Sequence, residues 1–361
     1  AMLLQWLAMR LGLVARRDLA QMARERYSPA ATRTLWLLAE LAIIATDVAE
    51  VLGSALAFNL LLGVPLWVGV LLTGLDTVIV LGLKGQGFRQ LEAIVLGLIT
   101  TIAVCFAVQL MIVGPSFAGV LHGAVPKTAI FADPHALYIA VGILGATVMP
   151  HNLYLHSAVV QTRAAGAGVP ATREAIRFAT IDIVVALFLA TLVNAAILTL
   201  AAATFHGNGY TGVAEIEDAY RLLEPLTGAA AAALLFGIAL FASGQSATFT
   251  GTIAGQVILE GFLNLSIPCW LRRVITRGLA LVPALIGVVW LGEGAVGKLL
   301  VLTQVVLSLQ LPFAIWPLIR FTSDRAVMGE FANGLVVKGI AWGLFCLIAG
   351  ANLWLVSRWL A

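Results

Sequence analysis

The chain has 361 residues, of which 61% are apolar and only 11% are charged, with a mean hydropathy of +1.01. A soluble domain carries about 25% charged residues, so this composition excludes a soluble globular protein and predicts an all-α protein that crosses a membrane several times. The net charge of +3 is small and the arginines are spread along the predicted membrane edges, which argues against nucleic acid as a partner.

Segments of about 20 apolar residues between polar breaks predict a single transmembrane domain over residues 1–361. In chain order, the ten predicted helices lie near 1–14, 34–61, 64–83, 91–113, 137–160, 176–203, 227–263, 274–292, 299–320 and 335–359. The first is short, and the N-terminus reads as a chain cut inside an apolar stretch, without the features of a signal peptide. The segment 227–263 is longer than one plain span requires.

The basic residues predict the orientation of these helices. Of the lysines and arginines, 17 fall in one set of alternate loops and 4 in the opposite set. By the positive-inside rule, the richer set is cytoplasmic and the C-terminus lies outside. We therefore expect a multi-pass protein of the bacterial inner membrane or the plasma membrane.

Three acidic residues lie inside the predicted helix 34–61. At 100° per residue, Glu40, Asp47 and Glu50 project into an arc of about 80°. Ionisable groups inside a span are costly and are by default functional. At least one of them should hold a proton or pair with a basic group, so the pattern predicts a proton relay, and the alternative is that the acids only tie helices together through arginines.

The predicted helix 137–160 contains a proline in the middle of an apolar run. Pro150 has no backbone N–H, so the carbonyls of Ala146 and Thr147 lose helical partners and can face a ligand. Broken helices at mid-membrane depth are typical of substrate sites in secondary transporters. The thioether of Met149 favours softer transition metals over magnesium or calcium, which prefer oxygen ligands.

Two histidines follow the proline. His151 and His156 are separated by about 140° around a regular helix, so they are not expected to share a metal ion. One or both could carry or sense protons, or satisfy neighbouring polar groups. Further along the chain, Gln304, Ser308 and Gln310 place neutral oxygen atoms in a span that Pro312 can kink.

Four motifs together resemble the Nramp family of divalent metal transporters, of the bacterial MntH type. They are ATDVAE at 45–50, GATVMPHNLYLHS at 145–157, GQSATFTGTIAGQ at 244–256 and TQVVLSLQLPFA at 303–314. The resemblance covers essentially the whole chain. It implies a leucine-transporter-type fold of two inverted five-helix repeats with an extra C-terminal helix: 1–113 forms the first repeat without its leading helix, 137–320 the second repeat, and 335–359 the extra helix.

The resemblance also implies proton-coupled import of Mn(II) or Fe(II) by alternating access, with no cofactor and no enzymatic activity. The metal ligands that it implies are Met149, the carbonyl of Ala146 and Gln304. The proton route that it implies runs through Asp47, Glu50, His151, Glu40 and an arginine of the ninth helix, chosen as Arg277 over Arg272 and Arg273.

One departure from the family pattern bears on this function. The family's first helix carries an Asp-Pro-Gly-Asn break that binds the metal, and no such tetrad occurs in the sequence. Without that aspartate, divalent affinity is expected to fall, because a dication leaving water needs charge compensation.

Two alternatives follow: an inactive or regulatory truncated membrane protein, and a magnesium-selective relative, which Met149 disfavours. A third alternative is an intramembrane aspartyl protease that uses Asp47 and Asp76. It is disfavoured because the sequence lacks the Gly-x-Gly-Asp run typical of such proteases.

Overall fold

The structure, a computed structural model, describes residues 1–75, 88–123, 125, 133–162, 168–213, 215–292, 294 and 296–360. Within these ranges the chain forms helices and turns and contains no strand, which confirms the all-α prediction. The α-helices are α1 (Met2–Ala15), α2 (Leu19–Arg26), α3 (Pro29–Leu62), α4 (Leu66–Leu72), α5 (Phe88–Val113), α6 (Phe117–Gly123), α7 (Pro134–Val148), α8 (Pro150–Val159), α9 (Val169–Thr204), α10 (Ile216–Thr227), α11 (Ala230–Leu263), α12 (Cys269–Leu291), α13 (Val296–Ser323), α14 (Arg325–Met328) and α15 (Leu335–Leu360).

Eight helical stretches in the described part of the chain are long and apolar enough to cross a membrane. They are Pro29–Leu62, Ala93–Val113, His135–Thr162, Val169–Asn208, Ala231–Leu263, Trp270–Trp290, Val296–Ser323 and Leu335–Ser357. Helix α1 is a shorter apolar helix of 14 residues. The remaining predicted span, 64–83, begins with α4, and its end lies outside the described residues. The multi-pass architecture is therefore confirmed, and the segment at 227–263 is one continuous helix of 34 residues.

Local sequence signals set the limits of the long helix α3. Ser28 caps its N-terminus by accepting a hydrogen bond from the backbone N–H of Ala31, and Pro29 occupies the first turn, where it has no N–H to satisfy. Gly63 ends the helix with a φ of +68°, a conformation that only glycine adopts without strain. These signals produce a helix of 34 residues, which at 1.5 Å per residue is about 50 Å long and therefore extends beyond the hydrocarbon core.

Helix packing places α3 at the centre of the polar interior. Helix α3 packs against α11, α12 and α13, and α7 packs against α13. In contrast, α9 buries only Ala179, Ile183, Leu200 and Thr204, so most of its surface faces outwards. The acids of α3 therefore lie inside the helix bundle and away from lipid.

Four short helices, α2, α6, α10 and α14, were not predicted, and local contacts explain α2 and α10. Asp18 and Gln21 cap α2 reciprocally, each side chain accepting from the other residue's backbone N–H. Helix α10 follows Glu215, whose carboxylate accepts a hydrogen bond from the Gly297 N–H at the start of α13 (2.6 Å). Both helices are too short to cross a membrane, so a search for apolar segments of about 20 residues overlooks them.

Candidate metal and proton site

The predicted interruption of the 137–160 helix lies at a single residue. Met149 separates α7 from α8 and has φ +38° and ψ 103°, outside the helical region. A non-glycine residue in such a conformation costs about 1–3 kcal/mol and is a feature of ligand-binding and switch sites. Pro150 follows as the first residue of α8, where a missing N–H causes no loss.

The break releases the carbonyl groups at the end of α7. The Met149 N–H still bonds to the carbonyl of Gly145 (3.2 Å), but the carbonyl of Ala146 would take its helical bond from residue 150, which is a proline. The negative end of the α7 dipole points in the same direction. The freed carbonyl therefore lies at a helix end that favours positive charge.

Helix α13 brings Gln304 to this break. A cavity of about 310 Å³ is lined by Ala146 and Gln304, together with apolar residues of α7 and α13. The two helices touch through their backbones, because a Cβ atom on Gly145 would lie only 1.9 Å from the carbonyl oxygen of Gln304. The structure thus brings Ala146 and Gln304 together, whereas Met149, three residues further along, is not among the described residues that line this cavity.

A further polar side chain contacts the sulfur of Met149. The Asn152 amide nitrogen lies 3.5 Å from the Met149 sulfur, one turn into α8. Sequence reasoning missed this residue, although its spacing of three from Met149 across a helix start was a usable signal. Asn152 orients the sulfur and supplies another neutral polar group beside the break.

The three acids of α3 each face an arginine of α12. Asp47 accepts a hydrogen bond from Arg273 (3.0 Å), and both side chains are 1% exposed. Glu50 lies 3.7 Å from Arg273 and 3.8 Å from Arg277, and it accepts a hydrogen bond from the Thr248 hydroxyl (3.3 Å). Arg273 therefore lies between two buried carboxylates. Its positive charge compensates their negative charge, which would be costly in a low dielectric without a cation.

The third acid, Glu40, forms a separate pair. Both of its carboxylate oxygens lie 2.9 Å from one guanidinium nitrogen of Arg272, and the indole of Trp36 donates to the same carboxylate (3.1 Å). Arg277, the arginine chosen from the sequence, contacts Glu50 and also donates to the carbonyl of Thr73 (3.2 Å). All three arginines thus face α3, and the choice of Arg277 for the proton route stays a prediction.

The two histidines of α8 lie in different surroundings, as their spacing predicts. His151 is buried, and its Nδ1 lies 3.5 Å from the hydroxyl of Thr46, the residue before Asp47. His156 instead lines a separate cavity of about 330 Å³ that Asp182 also lines. His151 therefore connects the broken helix to the acidic helix, and Asp76, the other lone acid, lies outside the described residues.

The arrangement can bind a cation through uncharged donors and can pass protons beside it. The described residues contain no group of three or more histidine, cysteine or acidic side chains that could hold a metal ion. The donors at the break are a thioether, a carbonyl and a side-chain amide, which suit a borderline transition metal better than calcium or magnesium. The ionisable groups form a second, adjacent layer between α3 and α12.

Comparisons with known proteins identify the family of the chain. The profile of the Nramp family, described as natural resistance-associated macrophage protein-like, matches residues 1–358. The chain is 64% identical over 358 residues to the divalent metal cation transporter MntH 1 of Pseudomonas aeruginosa, covering 99% of this chain and 82% of the relative. It is 61% identical over 361 residues to the divalent metal cation transporter MntH of Ralstonia nicotianae, covering 100% and 82%.

A solved structure shares the fold. The crystal structure of the Eremococcus coleocola manganese transporter in complex with an aromatic bis-isothiourea substituted compound superposes with a TM-score of 0.90 at 37% identity, covering 99% of this chain and 78% of that one. The chain therefore belongs to the Nramp family.

Proposed function

We propose that this Nramp protein imports divalent transition-metal ions, Mn²⁺ or Fe²⁺, together with protons, by alternating access. The names of its relatives support divalent metal cations as the substrate. The observation that carries the proposal is the interruption of the α7–α8 span at Met149, which presents a sulfur and a freed carbonyl inside the bundle. The metal ion is the substrate, and the protein needs no cofactor.

In this proposal the metal ligands are Met149, the carbonyl of Ala146 and Gln304. Each donor is neutral, so these three ligands alone leave the charge of the ion uncompensated, as expected for a sequence without the Asp-Pro-Gly-Asn tetrad. Helix α13 supplies Gln304, so a small movement of α13 against α7 adds or removes one ligand. A magnesium-selective function is disfavoured, because magnesium gains nothing from the thioether and loses water slowly.

The proposed proton route uses the ionisable groups between α3, α8 and α12. Its members are Asp47, Glu50, His151, Glu40 and Arg277. Arg272 and Arg273 are added to the route because they form ion pairs with Glu40, Asp47 and Glu50. A proton that binds Asp47 removes its charge, so Arg273 can shift its hydrogen bonding toward Glu50. Such an exchange moves a charge within the bundle without leaving a buried carboxylate ionised and unpaired.

We further propose that the protein is a single transmembrane domain in which 1–113 and 137–320 are the two inverted repeats and 335–359 is an extra helix. It lies in the inner or plasma membrane, with the loop between α13 and α15 in the cytoplasm and the C-terminus outside. The distribution of basic residues supports this orientation.

The experiment measures Mn²⁺ uptake and proton entry together in proteoliposomes that contain a pH-sensitive dye. The wild-type protein should accumulate Mn²⁺, and added Mn²⁺ should acidify the lumen. Asp47→Asn should lose most of the metal-stimulated acidification and keep more of its Mn²⁺ binding. Asp133→Asn is the matched control, because Asp133 is an exposed acid that caps α7 and asparagine can serve as the same cap.

Two outcomes would contradict the proposal. Normal acidification in Asp47→Asn would remove Asp47 from the proton route. An absence of Mn²⁺ and Fe²⁺ uptake by wild-type protein that is folded and inserted would remove the transport function itself.

A further inference from the structure

An apolar furrow runs along the outer surface of the bundle between α3, α13 and α15. One cavity of about 470 Å³ is lined by residues such as Leu38, Leu309 and Leu353, and a second of about 420 Å³ by residues such as Leu35 and Trp316. Both cavities are lined by Pro312 and Phe313, so they form one continuous groove. We call this groove the α13 furrow.

The furrow follows from prolines in α13. Pro312 and Pro317 lie inside this helix, and each removes a backbone hydrogen bond and pushes the preceding turn away. The walls are apolar, with Phe313 47% exposed and Trp316 43% exposed. On a protein that spans a membrane, such a groove has the shape and chemistry of an acyl-chain site.

An aromatic cluster marks one end of the furrow. The rings of Trp316 and Trp342 lie 4.9 Å apart, and Phe345 packs against both at 5.5 Å and 5.3 Å. Tryptophans are enriched at the level of lipid headgroups, where an apolar ring and a polar N–H meet the membrane surface. The cluster lies near the end of α13 and the beginning of α15, so this end of the furrow faces a membrane boundary.

Two cations lie just beyond the aromatic cluster, one on each helix. Arg320 follows Trp316 by four residues on α13, and Lys338 precedes Trp342 by four residues on α15. Residues four apart share one helix face at a rise of about 6 Å, so both cations lie on the furrow side, one turn beyond a tryptophan. Burial raises the pKa of the Tyr27 phenol and the positive charge of Arg320 opposes that rise, which places Arg320 near a residue that lines the second cavity.

Within the described part of the chain, neither cation forms an ion pair with an acid. Arg320 and Lys338 are exposed and make no ion pair or side-chain hydrogen bond within the described ranges. The nearby acids contact other arginines, with Asp324 3.9 Å from Arg26 and Glu330 3.3 Å from Arg173. An unneutralised pair of cations at headgroup level, above a groove for a chain, is complementary to an anionic lipid.

We propose that the α13 furrow binds one anionic phospholipid, whose phosphate contacts Arg320 and Lys338 and whose acyl chain lies along Trp316, Phe313 and Leu309. The bound chain would fill the space between α13 and α3, the helices that carry Gln304 and the buried acids. This lipid would therefore stabilise one relative position of the two helices. The inference rests on the furrow and the two cations beside it, and it does not depend on which ion the protein transports.

Native mass spectrometry of the purified protein tests the proposal. The protein is titrated with phosphatidylglycerol and, separately, with phosphatidylcholine carrying the same chains. One phosphatidylglycerol should bind more tightly than phosphatidylcholine, and Arg320→Gln/Lys338→Gln should weaken it roughly 25-fold, about fivefold for each charge removed. Arg320→Lys/Lys338→Arg keeps both charges and should bind like wild type.

Two further variants separate the headgroup from the groove. Arg33→Gln is the matched control, because Arg33 is an exposed arginine of α3 that points away from the furrow, and it should leave binding unchanged. Ala349→Phe fills the furrow while leaving both cations in place, and it should weaken phosphatidylglycerol binding as well. Wild-type binding in Ala349→Phe would overturn the acyl-chain part of the proposal.

The remaining outcomes concern the ligand class. Equal loss in Arg33→Gln and in the double variant, or equal binding of the two lipids, would overturn the site. Displacement of the lipid by an equal concentration of inorganic phosphate would show a simple anion site and would also overturn it.

Discussion

At the scale of single residues, the site depends on Met149, which combines an unusual backbone conformation with a soft donor atom. Its φ of +38° is one of three positive values among the described non-glycine residues, and it lies at the break between α7 and α8. The sulfur is also held by Asn152. In the proposed function, the thioether of Met149 selects the ion and its backbone conformation positions the sulfur.

Replacing Met149 tests that division of roles. Met149→Ala should allow calcium or magnesium to compete far better against Mn²⁺, because the thioether favours softer ions and excludes those that need oxygen ligands. Competition uptake in vesicles measures the effect. Met111→Ala, at a lipid-facing methionine that is 83% exposed, should behave like wild type. Unchanged exclusion of calcium in Met149→Ala would remove the sulfur from the selectivity mechanism.

Asp18, which lies outside the membrane-spanning helices, should make the stability of the protein depend on pH. Burial raises the pKa of Asp18 from an ordinary value of 3.8 to about 6. The folded state therefore favours the protonated acid, so the stability that this group contributes is complete below pH 4 and is lost as the pH rises through 6. The total contribution is about 3 kcal/mol at most.

Asp18→Asn removes this titration and keeps an acceptor for the N-cap of α2. Melting temperatures in detergent between pH 4.5 and 7 should show a steeper loss for wild type than for Asp18→Asn. Asp18→Ala should be less stable than Asp18→Asn at every pH by about 1 kcal/mol, because it lacks the cap. Parallel curves for wild type and Asp18→Asn would contradict the assignment.

Residue types were more predictable from the sequence than residue partners. Acids and a broken helix inside apolar spans stand out because the membrane penalises them, so Asp47, Glu50 and Pro150 could be singled out without a structure. The pairing of Asp47 with Arg273 and of Glu40 with Arg272 could not be predicted in this way. Arg272 and Arg273 are adjacent and point 100° apart, so their partners depend on the rotation of α12 against α3.

At the scale of elements, the long helices were predictable and the short ones were not. A membrane requires about 20 apolar residues in each span, and the predicted limits near 299–320 and 335–359 compare with Val296–Ser323 and Leu335–Leu360 in the structure. Helices α2 and α10 have no such requirement. Their limits depend on capping by Asp18 and on the Glu215 contact with α13, which are local or tertiary interactions.

The crossing of α7 and α13 gives a prediction at this scale. Gly145→Ala would place a methyl group 1.9 Å from the backbone oxygen of Gln304, so the two helices must separate. We expect a loss of about 1–3 kcal/mol of stability, seen as a lower melting temperature, and weaker Mn²⁺ binding because Gln304 moves.

Gly343→Ala is the matched control for this prediction, because a Cβ atom at Gly343 in α15 meets nothing within 4 Å. Alanine is favoured over glycine in a helix by up to about 1 kcal/mol, so the control should be as stable as wild type or more so. Equal melting temperatures and equal Mn²⁺ affinity in Gly145→Ala and wild type would show that the crossing is not tightly packed.

At the scale of the whole molecule, the proposed orientation in the membrane rests on the asymmetry of the basic residues. The same asymmetry supplies the cations at the end of the α13 furrow, since Arg320 and Lys338 belong to the loop set that holds 17 of the basic residues. Cytoplasmic leaflets carry anionic lipids, so the proposed orientation and the proposed lipid site rest on one charge pattern.

The orientation can be measured by labelling single cysteines. The three native cysteines are replaced, and cysteine is introduced either at Thr211, between α9 and α10, or at Gly334, between α13 and α15; both positions are exposed. Because the richer set of basic residues should stay in the cytoplasm, a membrane-impermeant maleimide should label Thr211→Cys in intact cells. Gly334→Cys should react only after the membrane is permeabilised. The reverse pattern would place the C-terminus in the cytoplasm and would contradict the proposed orientation. The end of the helix bundle that we assign to the cytoplasm would then face the outside.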